Sequence, residues 1–292
     1  MFRGTYTALV TPFRDGEIDI PAFERLIEGQ IAAGITGVVA IGTTGETPTL
    51  SHDEREQVIR LTVEIVNGRC QVLAGTGSYS TKEAIAATLA AQKIGVSGAL
   101  IVSPYYNKPS QEGLFRHFQA IARATELPIM LYNIPARCGV DINADTVERL
   151  ASACDNIVSV KEASGSVDRV GELCARMPES FTILSGDDGL TLPFMAAGAV
   201  GVVSVASNLV PVEICALVKA LDAGDYKTAR RMQRRLAGLF KDLFIEPNPV
   251  PVKTALAWRR QMSAEVRLPL CEMLPANEAR LRDTLAAFDS NI

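Results

Sequence analysis

Eight short runs rich in β-branched and apolar residues recur along the first three-quarters of this chain, at 5–10, 37–41, 71–74, 98–102, 129–132, 157–161, 181–184 and 201–205. Longer amphipathic stretches lie between them. The clearest is 51–66, where Ser51 and Glu54 stand at capping-box spacing; 80–94, 111–125, 144–151, 167–177, 190–197 and 211–223 follow. Strands alternating with helices at this rhythm predict an α/β fold with a parallel sheet. Eight strands at this rhythm predict a (β/α)8 TIM barrel. A doubly wound open sheet would alternate too, but it calls for a Gly-rich phosphate turn after its first strand. Here that strand runs into Thr11-Pro12-Phe13. Beyond Gly224 the strand signals stop, and three helical stretches follow, divided by Glu246-Pro-Asn-Pro-Val-Pro251. The expected organisation is a barrel over residues 1–223 carrying the active site, with a C-terminal helical domain over 224–292.

The apolar tract at 198–221 is interrupted by Asn208, Pro211, Glu213 and Lys219, which mark strand, turn and helix rather than a membrane span. With a net charge of −4 and basic pairs only at Arg230-Arg231 and Arg234-Arg235, nucleic acid is not an expected partner. The six cysteines are widely spaced without a C-x-x-C pair, and His52 and His117 are far apart. A disulfide scaffold or zinc site is therefore not expected, and the cysteines read as core thiols of a cytoplasmic protein. No signal-peptide pattern precedes the first strand.

Lys161 closes the apolar run Ile157-Val-Ser-Val. A lysine so placed often packs its stem and extends its ammonium to water. Held in an apolar setting, however, it sheds the desolvation cost by losing its proton, and a neutral amine is the nucleophile of Schiff-base enzymes. The other strand ends favour the second reading, because nearly every unusual polar residue collects at one mouth: Gly42-Thr43-Thr44-Gly45-Glu46, Gly75-Thr76-Gly77-Ser78, Ser103-Pro104-Tyr105-Tyr106-Asn107, Tyr132 to Arg137, Ser185-Gly186-Asp187-Asp188 and Ser204 to Asn208. The glycine-flanked threonines suit a small carboxylate, Tyr132 suits proton transfer beside the lysine, and Arg137 suits a second carboxylate. Their ordinary alternatives are a strand-to-helix turn, a packed phenol and a surface ion pair. Asp187 and Asp188 in the seventh loop would repel a phosphate, so an unphosphorylated acid is the expected substrate. The lysine can act as its own electron sink, so no metal or organic cofactor is called for.

These motifs together resemble the dihydrodipicolinate synthase family, within the N-acetylneuraminate lyase group of pyruvate-dependent class I aldolases. The likeness runs from Leu9-Val-Thr-Pro12 to Glu246–Lys253 and includes Pro104 to Gly113, Tyr132-Asn-Ile-Pro135, Val160-Lys-Glu-Ala163 and Leu184 to Asp188. The resemblance implies a lyase in which Lys161 forms an imine with pyruvate, and Tyr132, Thr43 and Tyr106 relay protons, Tyr106 coming from a neighbouring subunit. It further implies that Thr43 and Thr44 hold the pyruvate carboxylate, that Arg137 receives the carboxylate of L-aspartate 4-semialdehyde, and that Gly186 and Val203 line the lysine's pocket. The implied product is 4-hydroxy-tetrahydrodipicolinate, the first committed step of the diaminopimelate route to lysine, made by a homotetramer built as a dimer of dimers. The nearest rival is a sugar-acid aldolase of the same group, acting on N-acetylneuraminate or 2-keto-3-deoxygluconate; a rival of another class is a silent barrel kept for binding or regulation.

Lysine-inhibited relatives carry a regulatory cleft whose matching positions here include Pro48, His52, Arg55, Tyr79, Glu83 and Tyr105. Arg55 and Tyr79 depart from that pattern, adding a cation and a bulky ring where a cationic ligand would sit. Lysine is therefore expected to inhibit weakly or not at all. An inhibition constant below the millimolar range in a steady-state assay would contradict this.

Overall fold

The computed structural model describes residues 2–290. Eight parallel strands close into a barrel: β1 (Gly4–Ala8), β2 (Gly37–Ala40), β3 (Gln71–Gly75), β4 (Gly98–Val102), β5 (Ile129–Asn133), β6 (Ile157–Glu162), β7 (Thr182–Ser185) and β8 (Gly201–Ser204). Each pairs with its sequence neighbours, and β1 closes the ring against β8, with Gly4 opposite Gly201 and Tyr6 opposite Val203. All the expected strands form, with ends displaced by at most two residues.

The surrounding helices are α1 (Ile20–Ala32), α2 (His52–Val66), α3 (Thr81–Ile94), α4 (Gln111–Ala124), α5 (Ala144–Ala153), α6 (Val167–Arg176), α7 (Thr191–Ala196) and α8 (Pro211–Asp222). Serine caps start four of them, and Ser51 and Glu54 complete a reciprocal capping box on α2. The helix α1 has no counterpart among the expected segments. Its start is nonetheless conventional, with Asp19 accepting from the Ala22 amide and Pro21 in the first turn. A two-stranded ribbon, Phe13–Arg14 with Glu17–Ile18, is also additional to the expected elements.

Strand alternation divides the apolar side chains into two cores. Outward residues pack under the helices, while Tyr6, Val39, Leu73, Leu100, Met130, Tyr132, Leu184 and Val203 fill the barrel interior. Phe2 and Tyr6 meet edge to face at 6.2 Å and plug the N-terminal end. Gly37 admits that plug: a Cβ there would stand 2.5 Å from the Tyr6 ring. The interior is therefore packed at the bottom, where the Tyr6 hydroxyl donates to Gln71 Oε1.

Three further helices follow: α9 (Tyr226–Asp242), α10 (Val250–Trp258) and α11 (Pro275–Asp289). α9 packs against α8 and α11, whereas α10 is buried along most of its length and reaches the barrel mouth. There the Lys253 ammonium sits 2.6 Å from Glu46 Oε1 and donates to the Thr11 carbonyl at 2.9 Å, over the face of Phe13. Both charged side chains are fully buried. Burial pulls Lys253 below the usual lysine range, and Glu46 opposes that pull. Arg267 caps the cluster, donating its backbone amide to Glu46 and forking onto Glu54.

Not all six cysteines are core thiols. Cys138 and Cys154 are buried, Cys70, Cys174 and Cys215 are half-buried, and Cys271 is exposed on the loop before α11. Among the described residues no helix is long and apolar enough to cross a membrane.

Removing one partner of a buried ion pair leaves the other charge uncompensated. Lys253→Met should therefore lower the unfolding free energy by about 3–5 kcal/mol. Glu46→Gln with Lys253→Met should lower it less than Lys253→Met alone. Denaturant titration checks this, and equal losses for the single and double variants would show that the charges are not coupled.

Candidate active site

Lys161 and Tyr132 are direct register partners on β6 and β5, so the barrel delivers both side chains to the same level of its interior. The Lys161 amine lies 4.2 Å from the centroid of the Tyr132 ring. Both residues are only 5% exposed, so the amine has exchanged water for the face of a phenol. Burial lowers its pKa to about 8, the negative charge of Asp188 raises it, and the positive charge of Arg137 adds to the lowering. Burial likewise pushes the Tyr132 phenol up to about 12, against the opposing effects of Arg137 and a hydrogen bond from the Thr43 side chain.

Gly186 lets the lysine stem pass. A Cβ at this position would stand 2.7 Å from the Ala163 Cβ and 3.1 Å from the Lys161 Cε, while the Gly186 amide donates to the Glu162 carbonyl at 2.7 Å. Val203 packs in the same interior cluster as Tyr132 and Leu184.

Behind the lysine, Glu162 points away from the interior and is fully buried. Its carboxylate accepts from Arg169 Nε at 2.7 Å, from the Ser164 amide at 2.8 Å and from Asn133 Nδ2 at 3.1 Å. Asn133 also reaches Asp141 at 2.7 Å. This lattice ties the ends of β5 and β6, and so fixes the spacing of Tyr132 and Lys161.

The threonine loop forms a short 3-10 turn, Thr43–Gly45, ending at Glu46 in the left-handed region with φ 56°. Thr44 is buried and its Oγ1 accepts from Asn248 Nδ2 at 2.9 Å. Arg137 stands exposed on the one-turn helix Pro135–Cys138 and donates to the Asn248 carbonyl at 3.4 Å. A cavity of about 440 Å³ opens over this group, and its wall includes Thr43, Tyr132, Arg137 and Cys138. Tyr132, which carries the Lys161 amine on its ring face, joins the lysine to this wall.

Tyr106 is not gathered with the others. It is 91% exposed, with φ 72°, on the loop after β4. Of the residues matched to the regulatory cleft, Pro48, Arg55, Tyr79, Glu83 and Tyr105 line the same cavity as Tyr132. Tyr79 and Tyr105 stack edge to face at 5.3 Å, and His52 is exposed at the start of α2, outside the cavity wall.

Of the two seventh-loop aspartates, only Asp187 is exposed. Asp188 is buried, accepting from Ser204 Oγ at 2.5 Å and from the Val205 and Ala206 amides at 2.9 Å each. Asp187 accepts from the Gly189 amide at 2.8 Å. Both carboxylates organise loop backbone, and Asp188 also acts on the site through its charge on Lys161. Sequence reasoning passed over Lys253. The signal was the same as for Lys161, a lone lysine in an apolar run, but Glu46 supplies a partner that Lys161 lacks among the described residues.

Residues 1–288 match the model of the dihydrodipicolinate synthetase family. The solved 4-hydroxy-tetrahydrodipicolinate synthase of the thermoacidophilic methanotroph Methylacidiphilum fumariolicum SolV is 57% identical, with a TM-score of 0.99 over 99% of this chain and 97% of that one. The solved dihydrodipicolinate synthase of Aquifex aeolicus is 48% identical, with a TM-score of 0.97 over 99% and 98% of the two chains. The 4-hydroxy-tetrahydrodipicolinate synthase of Hydrogenobaculum sp. (strain Y04AAS1) is 50% identical over 289 residues, 99% of each chain.

The Lys161 pKa falls from 10.5 to about 8 on folding, so between those values the unfolded chain holds the extra proton. Below pH 8 both states are protonated and the full cost of burying the ammonium, about 3 kcal/mol, falls on the folded state. Lys161→Met should therefore be more stable than the parent at pH 7, and the gap should narrow as pH rises through this window. Urea unfolding at pH 7 and near pH 10 measures it; a gap that does not change with pH would contradict the assigned burial.

Proposed function

The chain belongs to the dihydrodipicolinate synthetase family, and we propose that Lys161 is the amine through which it works. It condenses pyruvate with L-aspartate 4-semialdehyde to 4-hydroxy-tetrahydrodipicolinate in the diaminopimelate route to lysine, as a lyase of the class I aldolase type. The observation that carries the assignment is the Lys161 amine itself: buried, lowered to about 8, and packed on a tyrosine whose hydroxyl bonds Thr43.

At neutral pH a lysine of pKa about 8 keeps a useful neutral fraction without general-base help. Its lone pair attacks C2 of pyruvate, and loss of water leaves the imine. Thr43 and Thr44 hold the pyruvate carboxylate through hydroxyl and amide donors. Removal of a methyl proton, passed through Tyr132 and Thr43, gives the enamine. The enamine carbon attacks the aldehyde of the semialdehyde, whose carboxylate is clamped by Arg137. The substrate's own amine then displaces Lys161 and closes the ring. Gly186 and Val203 leave room for the lysine stem and the growing chain.

Tyr106 enters this reading as a residue given to a partner. Its exposure and positive φ suit a side chain held away from its own barrel. We assign it to the proton relay of a neighbouring subunit, in a homo-oligomer assembled as a dimer of dimers, working in the cytoplasm. Tyr79, Glu83 and Tyr105 are assigned to the cleft between subunits, with His52 at its edge.

Mixing the protein with pyruvate and L-aspartate 4-semialdehyde, and coupling to the reductase that consumes the product, tests the proposal. Turnover should appear in the parent and vanish in Lys161→Ala. Tyr106→Phe should slow turnover by about a hundredfold. Pyruvate consumption without the cyclic product would favour a sugar-acid aldolase, and an unchanged rate in Tyr106→Phe would remove it from the relay.

A further inference from the structure

Asn248 belongs to the segment that enters α10, remote in sequence from every strand end, yet it touches both carboxylate receivers of the site. Its side chain is buried at 6% exposure. Through Nδ2 it donates to Thr44 Oγ1 at 2.9 Å, and through its main-chain carbonyl it accepts from Arg137 at 3.4 Å. Its other amide atom, Oδ1, is buried with no hydrogen-bond partner among the described residues. Buried polar atoms are rarely left unpaired, and those that are tend to mark a functional constraint. The amide is under-satisfied, so its own hydrogen bonding does not explain why it is kept there.

Its effect on Thr44 does. A hydroxyl has one hydrogen and two lone pairs. An amide N–H directed at Thr44 Oγ1 occupies a lone pair and leaves the hydroxyl hydrogen free to be donated elsewhere. An acceptor in the same place would capture that hydrogen, and Thr44 would meet a carboxylate with lone pairs. The orientation of one amide therefore decides whether Thr44 is a donor.

The same segment grips the loop at a second point. Lys253, five residues further on, holds Glu46 at 2.6 Å, and Thr11 secures the Gly45 carbonyl at 2.8 Å. Thr44 is thus fixed in place by its neighbours and in hydrogen-bond sense by Asn248.

We propose that Asn248 is a positioning residue for the pyruvate-carboxylate pocket, holding Thr44 as a hydrogen-bond donor through its side-chain amide while its main-chain carbonyl braces Arg137. The proposal rests on the reading of Thr44 and Arg137 given above. It predicts a separation between the two substrates, because a side-chain substitution removes the Thr44 contact and leaves the carbonyl to Arg137 in place.

Steady-state kinetics of Asn248→Asp, Asn248→Ala, Thr44→Val and the Thr44→Val/Asn248→Ala double variant test it. In Asn248→Asp the introduced carboxylate captures the Thr44 hydrogen, and KM for pyruvate should rise about tenfold or more. KM for the semialdehyde should stay within about twofold, an outcome that general loosening of the site would not give. Asn248→Ala should raise KM for pyruvate in the same direction, which keeps the test open if Asn248→Asp fails to fold. Adding Asn248→Ala to Thr44→Val should cost nothing further, since the residue acts through the hydroxyl already removed. Parent-like KM for pyruvate in the Asn248 variants, or a double variant whose losses multiply, would overturn the inference while the parent still makes product. A parent that makes no product would overturn the underlying reading as well.

Discussion

The site depends on the cost of keeping an ammonium out of water. Inside a closed barrel, walled by Tyr132, Leu184 and Val203, the Lys161 amine has little solvent to stabilise its charge. Burial pulls its pKa down to about 8, and the Asp188 charge stops it falling further. An open sheet would leave the strand end hydrated and the amine protonated. Barrel closure, which pairs β1 with β8, thus contributes to the chemistry as well as to the fold.

The protein gives two buried lysines different surroundings. Lys253 meets Glu46 at 2.6 Å and serves as a tie between α10 and the threonine loop. Lys161 meets an aromatic face, with its nearest influential carboxylate already engaged by Ser204 and two backbone amides. Burial lowers both amines to about 8, so what separates them is the partner: Lys253 is tied into an ion pair with Glu46, and the Lys161 amine is not. Around both, polar networks carry the alignment. Glu162, Asn133 and Arg169 tie the strands bearing Lys161 and Tyr132, while Asn248 and Lys253 hold the loop bearing Thr43 and Thr44.

Much of this was legible in the chain. Strand composition and helix caps gave the barrel, and a lysine ending an apolar strand pointed to the amine. The helix α1 was passed over because its start signal, Asp19 with Pro21, lies only a few residues past the ribbon turn at Asp15 and Gly16. The seventh-loop aspartates pointed to an unphosphorylated substrate, but a residue name does not tell that Asp188 is buried and caps backbone amides while Asp187 is exposed. Asn248 and Lys253 were invisible as partners of the site, since their contacts span some two hundred residues of sequence and exist only once α10 docks. Tyr106, 91% exposed on the loop after β4, is the one proposed relay residue that does not line the cavity.

The most direct test of the account is borohydride reduction of the protein in the presence of pyruvate, followed by digestion and mass measurement of every lysine-containing peptide. The account predicts one reduced pyruvate adduct, on the peptide carrying Lys161, and none on Lys253, whose ammonium is bound to Glu46. An adduct on another lysine, or its persistence in Lys161→Ala, would contradict the claim that this buried amine is the nucleophile.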